Sequence, residues 1–180
     1  SGQQFTHYDK TNGLPGNFVY AVCADRKGRT WRGIADKGLY LFDGLDFISI
    51  HDDKDLKNAK VKSLRESPDS LIWIGSEGNG LSFYDGKQFK YIPQLNGKYI
   101  RDIKCDTAGN TWVATAGAGI YKIGKGDSLG ENRPVKNFSD KKRTSLNRVN
   151  CLHVDSLQRV WIGYENDGIA CMENDSVIFS

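Results

Sequence analysis

Several common elements are scarce in this chain. Of its 180 residues one is Met, three are His, four are Cys and four are Pro. No run approaches the roughly 18 apolar residues of a membrane-spanning helix, and no secretory leader is visible. Ser1-Gly2 open directly onto the strand-like Phe5-Thr6-His7-Tyr8, as in a mature or excised piece. There is no long Ala/Leu/Glu/Lys stretch and no helical spacing of apolar residues, which excludes a helical solenoid. Charge of one sign is also missing: 25 basic residues face 22 acidic ones, for a net +3. That balance does not imply nucleic acid. His51-Asp52-Asp53-Lys54-Asp55-Leu56-Lys57 reads as a solvated loop, and Lys141-Lys142-Arg143 is shorter than a nucleic-acid patch.

What the chain does have is 20 Gly, 8 Tyr, 8 Phe and 4 Trp, in a composition 38% apolar and 26% charged. Glycine with aromatics and few helix formers points to β structure with many turns. Length alone predicts one domain. The tryptophans then reveal a repeat. They stand at 31, 73, 112 and 161, separated by 42, 39 and 49 residues. Two residues after each comes Gly33, Gly75, Ala114 or Gly163, and seven after comes Gly38, Gly80, Gly119 or Gly168, followed by Leu or Ile. Twelve before each stands Val19, Val61, Ile100 or Val149, nine before Val22, Leu64, Ile103 or Leu152, and six before Asp25, Ser67, Asp106 or Asp155. Sixteen after stands Phe47, Phe89 or Val177; the third unit breaks this column with an insertion around Gly124 to Pro134.

One unit reads as four short strands. Val19 to Ala24 is β-branched and small. Asp25-Arg26-Lys27-Gly28 is a turn whose Asp can accept backbone amides. Thr30 to Ile34, Leu39 to Phe42 and Phe47 to Ile50 follow, with the hairpin dipeptide Asp43-Gly44 before the last. Four antiparallel strands per roughly 40 residues make a propeller blade. The predicted fold is therefore all-β, a β-propeller fragment of four consecutive four-stranded antiparallel blades. Its units run over about 12–51, 58–92, 97–139 and 146–180, preceded by an outer strand at 5–8. Rings usually need 4–8 blades and mostly more than four. The length therefore predicts part of a larger ring, completed by further blades or by a second chain. Trp31, Trp73, Trp112 and Trp161 then pack between neighbouring sheets. The small residue after each admits a close neighbour, and Gly38, Gly80, Gly119 and Gly168 take positive φ.

The unit resembles the two-component regulator propeller repeat. The residues that carry the likeness are Phe5-Thr6-His7-Tyr8, Asn12-Gly13-Leu14-Pro15-Gly16-Asn17-Phe18-Val19, Trp31-Arg32-Gly33 and Gly38-Leu39-Tyr40-Leu41-Phe42-Asp43-Gly44. Trp73-Ile74-Gly75-Ser76 with Gly80-Leu81-Ser82-Phe83-Tyr84-Asp85-Gly86, and Leu146 to Asp155, repeat it. The resemblance implies the extracytoplasmic, periplasmic sensor region of a Bacteroidetes-type hybrid histidine kinase. Such sensors are dimeric, membrane-anchored and responsive to oligosaccharides, with the kinase inside the cell. No phosphoacceptor helix or ATP-binding Gly box occurs in this chain, so the signalling output lies outside it. Arg32 departs from the Ile or Val that follows the other tryptophans, which makes it solvent-facing or paired in an end blade. Ser67, Ala114 and Gln158 also depart from the pattern.

Enzymatic readings find little support in the residues. A sialidase Asp-box places its Gly two after the Asp, whereas Asp25/Gly28 and Asp106/Gly109 are three apart. A streptogramin-cleaving lyase needs a His and acids at the channel mouth, but His7, His51 and His153 fall at different repeat positions. Glycosidase chemistry needs two carboxylates at a set separation, and most Asp residues here are accounted for by turns. Cys23, Cys105, Cys151 and Cys171 have neither disulfide nor metal-knuckle spacing and read as small buried thiols. Unpaired thiols pull against an oxidising compartment, but the resemblance sets the expected address. No catalytic residue, metal or cofactor is expected.

A ligand is expected where the inner strands begin. The position eleven before each Trp reads Tyr20, Lys62, Arg101 and Asn150, and fourteen before reads Asn17, Ala59, Lys98 and Asn147. Tyr99 and Arg148 flank these, and the second turns add Lys37, Glu77, Asn79, Glu165 and Asn166. Asn, Tyr and Arg suit sugar hydroxyls and ring faces, and Lys62 with Arg101 favour an anionic group. The candidate ligand residues are Asn17, Tyr20, Lys62, Asn79, Tyr99, Arg101, Arg148 and Asn150. The alternative is a propeller scaffold that binds only protein.

Overall fold

A computed structural model describes residues 6–50, 56–126 and 132–179. Within the described residues sixteen strands form four separate four-stranded antiparallel sheets, each in simple sequence order. The first holds β1 (Val19–Ala24), β2 (Thr30–Ile34), β3 (Gly38–Phe42) and β4 (Phe47–Ser49). The second holds β5 (Val61–Glu66), β6 (Ile72–Ser76), β7 (Gly80–Tyr84) and β8 (Phe89–Tyr91). The third holds β9 (Ile100–Cys105), β10 (Thr111–Thr115), β11 (Ile120–Ile123) and β12 (Val135–Phe138). The fourth holds β13 (Val149–Val154), β14 (Val160–Tyr164), β15 (Ile169–Glu173) and β16 (Ser176–Phe179). The first strands of consecutive sheets contact one another, β1 with β5, β5 with β9 and β9 with β13. These are four successive propeller blades. The insertion leaves the third sheet at Gly124, whose N–H bonds the Pro134 carbonyl at 2.8 Å, so β12 resumes the sheet immediately afterwards.

The expected strand over residues 5–8 does not form over its described part, residues 6–8. Among the described residues no strand pairs with it, and the first sheet already holds four strands of its own. Tyr8 instead lays its ring on Phe42 and Phe47, with centroids 5.2 and 5.6 Å away. Phe5 and His51 lie outside the described residues.

The repeat columns are the core. Trp31 packs with Leu39 against Val61, Leu64 and Ile74 of the next blade. Trp73 packs likewise against Ile100, Ile103 and Val113, and Trp112 against Val149, Leu152 and Ile162. The small residue two after Trp is small because the next inner strand presses on it. A Cβ on Gly33 would lie 2.4 Å from the Val61 carbonyl, and one on Gly75 2.5 Å from the Ile100 side chain. The same columns are open at the two ends. Val19 and Val22 are 40% and 62% exposed, and Ile169 is 51% exposed where Leu39, Leu81 and Ile120 are buried. Cys151, expected to be buried, is exposed for this reason: it sits beside Gly163 on a face that no following blade covers. Cys171 is buried and Cys23 and Cys105 are partly so.

Arg32 is partly buried and has no ion pair among the described residues. Its guanidinium lies over the rings of Phe42 and Phe47 at 4.8 Å each and of Tyr8 at 5.9 Å, and its Nη1 is buried without a hydrogen-bond partner. Cation–π contact replaces the apolar contact that Ile74, Val113 and Ile162 make elsewhere.

Candidate functional site

Each inner strand carries a β-bulge at the same place. Pairing shifts between Val19 and Ala21, Val61 and Ser63, Ile100 and Asp102, and Val149 and Cys151. The residues inside these bulges are Tyr20, Lys62, Arg101 and Asn150. A bulge leaves its extra residue out of the ladder and re-aims the side chain. The blades thus present one polar or aromatic side chain each at the start of four neighbouring inner strands.

These side chains meet. Lys62 Nζ sits 3.5 Å from the centroid of the Tyr20 ring and 3.5 Å from Glu77 Oε2. Arg101 Nη1 donates to Asn150 Oδ1, and its Nη2 lies 3.2 Å from Glu165 Oε1. Arg148 Nε donates to the other Glu165 oxygen. Glu77 and Glu165 come from the second turns, each of which docks on the residue just before the inner strand of its own blade: Glu77 N–H bonds the Lys60 carbonyl and Glu165 N–H the Arg148 carbonyl, both at 2.9 Å. The bond from Arg148, then that from Arg101, hold the Glu165 carboxyl below its usual range. Between Lys62 and Arg101 opens a cavity of about 460 Å³, lined by Lys62, Glu77, Tyr99, Ile100, Arg101, Ala116 and Asn150. Tyr99 is 52% exposed.

Of the eight candidate residues, Lys62, Tyr99, Arg101 and Asn150 line this cavity. Tyr20 joins it through Lys62, and Arg148 through Glu165. Asn17 does not; its Oδ1 accepts the Lys10 N–H at 3.0 Å. Asn79 lines a separate cavity with Tyr91, Pro93 and Asn96. Ile100 and Ala116 were hidden from sequence reasoning because one reads as core and the other as a loop residue. The two cations expected to draw an anion, Lys62 and Arg101, each already face a carboxylate. The mouth is therefore a set of paired charges whose remaining donors and acceptors suit hydroxyls. Among the described residues no group of three His, Cys, Asp or Glu could hold a metal. His7 and His153 are exposed and lie outside the cavity lining.

Consecutive antiparallel blades with a polar mouth define a β-propeller module. No protein-family model matches the chain, and no curated protein matches it. Solved structures do. The extracellular domain assigned to the hybrid two-component system BT3049 from B. thetaiotaomicron superposes with a TM-score of 0.76 at 18% identity, over 97% of this chain and 24% of that one. The extracellular domain assigned to BT4673 from the same organism gives 0.73 at 20% identity, over 94% and 23%. A virginiamycin B lyase from Staphylococcus aureus gives 0.68 at 16% identity, over 92% and 56%. The chain thus spans about a quarter of the two sensor domains, and what it shares with all three is the propeller fold.

Proposed function

We propose that this chain is part of the ligand-sensing propeller of an extracytoplasmic two-component regulator, on the periplasmic side of an inner-membrane sensor. Its ligand is an oligosaccharide held at the mouth between the second and fourth blades. The observation that carries this reading is the cavity built from the bulge residues Lys62, Arg101 and Asn150 with the exposed Tyr99 ring. A ring face beside fixed donors and acceptors is what a sugar needs: apolar C–H faces stack and hydroxyls bond. The fold likeness to extracellular sensor domains supports the address and the role. Among the described residues no helix is long and apolar enough to cross a membrane, and the kinase lies outside this chain. The intact sensor is a dimer, and further blades or a second chain complete the ring. This module is not itself an enzyme.

Thermal-shift measurements against neutral and uronate-containing oligosaccharides test the reading. A neutral glycan should raise the melting temperature of the native chain and not of Arg101→Ala, with uronates no better because Lys62 and Arg101 are already paired. If no glycan shifts melting while a protein partner is captured in pull-downs, the module is an interaction scaffold instead.

A further inference from the structure

Two of the three junctions between blades are closed by a leucine from the linker. Leu56 and Leu95 stand seventeen residues before Trp73 and Trp112 and are 1% and 0% exposed. Their carbonyls lie against Gly38 and Gly80 of the blade before. The third junction is built differently. Seventeen before Trp161 stands Thr144, which is exposed, and the Phe138 carbonyl lies against Gly119 instead. The fourth blade also carries Ala170 at the position of the buried Tyr121 of the third.

The leucine of this linker, Leu146, stands fifteen before Trp161 and is only half-buried, and it lines a cavity of about 600 Å³ between blades three and four together with Ile120, Phe138, Ile162 and Met172. Its open side carries Val177, 56% exposed, and Lys141 and Lys142, both exposed. The two carboxylates in the lining are engaged. Asp175 is held by Lys122 at 2.7 Å and Lys136 at 3.0 Å, and Asp140 accepts the N–H groups of Lys142 and Arg143 at 2.7 and 2.8 Å.

We propose that this cavity docks a leucine-type side chain presented by an acidic polypeptide segment. The chain itself points to this side chain: a fully buried linker leucine closes each of the two other junctions, whereas Leu146 is only half-buried here and leaves the cavity open. The acidic flanks are argued from the two lysines at the open side. The site is separate from the mouth and does not depend on sugar binding there.

The single Met of the chain, Met172, is buried in this lining and gives a unique reporter. The test is an NMR titration of the methyl-labelled native chain with the capped peptide Asp-Glu-Leu-Asp-Glu and with its Leu-to-Ala counterpart. The Met172 methyl should shift saturably with the leucine peptide, and the alanine peptide should bind about tenfold or more weakly. Val177→Glu lies at the surface and should weaken binding about tenfold without changing the melting temperature. Equal binding of the two peptides, no saturable Met172 shift, or unchanged affinity in Val177→Glu would each overturn the proposal.

Discussion

The indole N–H of Trp31 donates to the buried carboxylate of Asp25 at 2.9 Å. Trp112 does the same to Asp106 at 3.0 Å and Trp161 to Asp155 at 2.9 Å. The acid thus ties the turn between the first two strands to the tryptophan of the second. One oxygen takes turn amides, those of Lys27 and Arg29 at 3.0 Å in the first blade, and the other takes the indole. In the second blade Ser67 is too short to reach, and Trp73 Nε1 is buried without a hydrogen-bond partner among the described residues.

Asp106→Ala should therefore cost about 2–4 kcal/mol, because it strips bonds from Asn110 and leaves the Trp112 N–H buried and unpaired. Ser67→Ala should cost only about 1 kcal/mol, since no indole bond depends on it. Urea denaturation of the two variants measures the difference; equal losses would show that the indole bond contributes nothing.

Trp73→Ala should lower stability by about 3–5 kcal/mol, because the ring is fully buried between two blades. Trp161→Ala should lose less, roughly 1–3 kcal/mol, as its ring is only partly buried at the end of the blade series. Neither change should selectively remove ligand binding at temperatures where the variant is folded. A Trp73→Ala protein with native melting and no glycan response would refute the architectural role of this residue.

Most of the fold was legible because a repeated position is an architectural position. β1 and β2 fall on the predicted ranges, and β3 and β4 differ by one residue at an end. The site was legible only as a column. Tyr20, Lys62, Arg101 and Asn150 share a register, but the bulge that turns them to one mouth leaves no trace in residue type. The pairing of Lys62 with Glu77 and of Arg101 with Glu165 depends on how the second turns dock, which periodicity does not encode. Arg133 is a similar case. The insertion looked like a gap in the repeat, yet it lays this side chain over the Trp73 and Phe83 rings at 5.4 and 5.2 Å, with Asp69 3.2 Å away.

The glycine column separates two causes. Gly80 has φ 76° and a Cβ there would lie 2.2 Å from the Leu95 carbonyl oxygen. Gly168 has φ 68° but nothing within 4 Å. Gly168→Ala should cost roughly 1–2 kcal/mol from backbone conformation alone. Gly80→Ala should cost about 3 kcal/mol or more, because the linker must also move. Thermal unfolding of both variants checks this, and equal losses would mean that the linker yields freely.

Acid should expose the Asp–Trp bond of the fourth blade. The Trp161 N–H foremost, and then Arg159, hold Asp155 down to about 2, from an ordinary value of 3.8. A carboxylate whose folded pKa is depressed contributes stability above its unfolded pKa and loses it as pH falls toward the folded value. The contribution of Asp155 should therefore be constant from neutral pH to about 4 and vanish between about 4 and 2. The Asp25 carboxyl is also lowered: burial pushes it up, but the bonds from Trp31 and Arg29 outweigh this, so the wild-type chain should lose stability at both turns. Asp155→Asn should already be less stable at pH 7 and should lose less than wild type on acidification. Urea midpoints at pH 7, 4 and 2.5 measure this, and parallel curves for the two proteins would show that the proton does not go to Asp155.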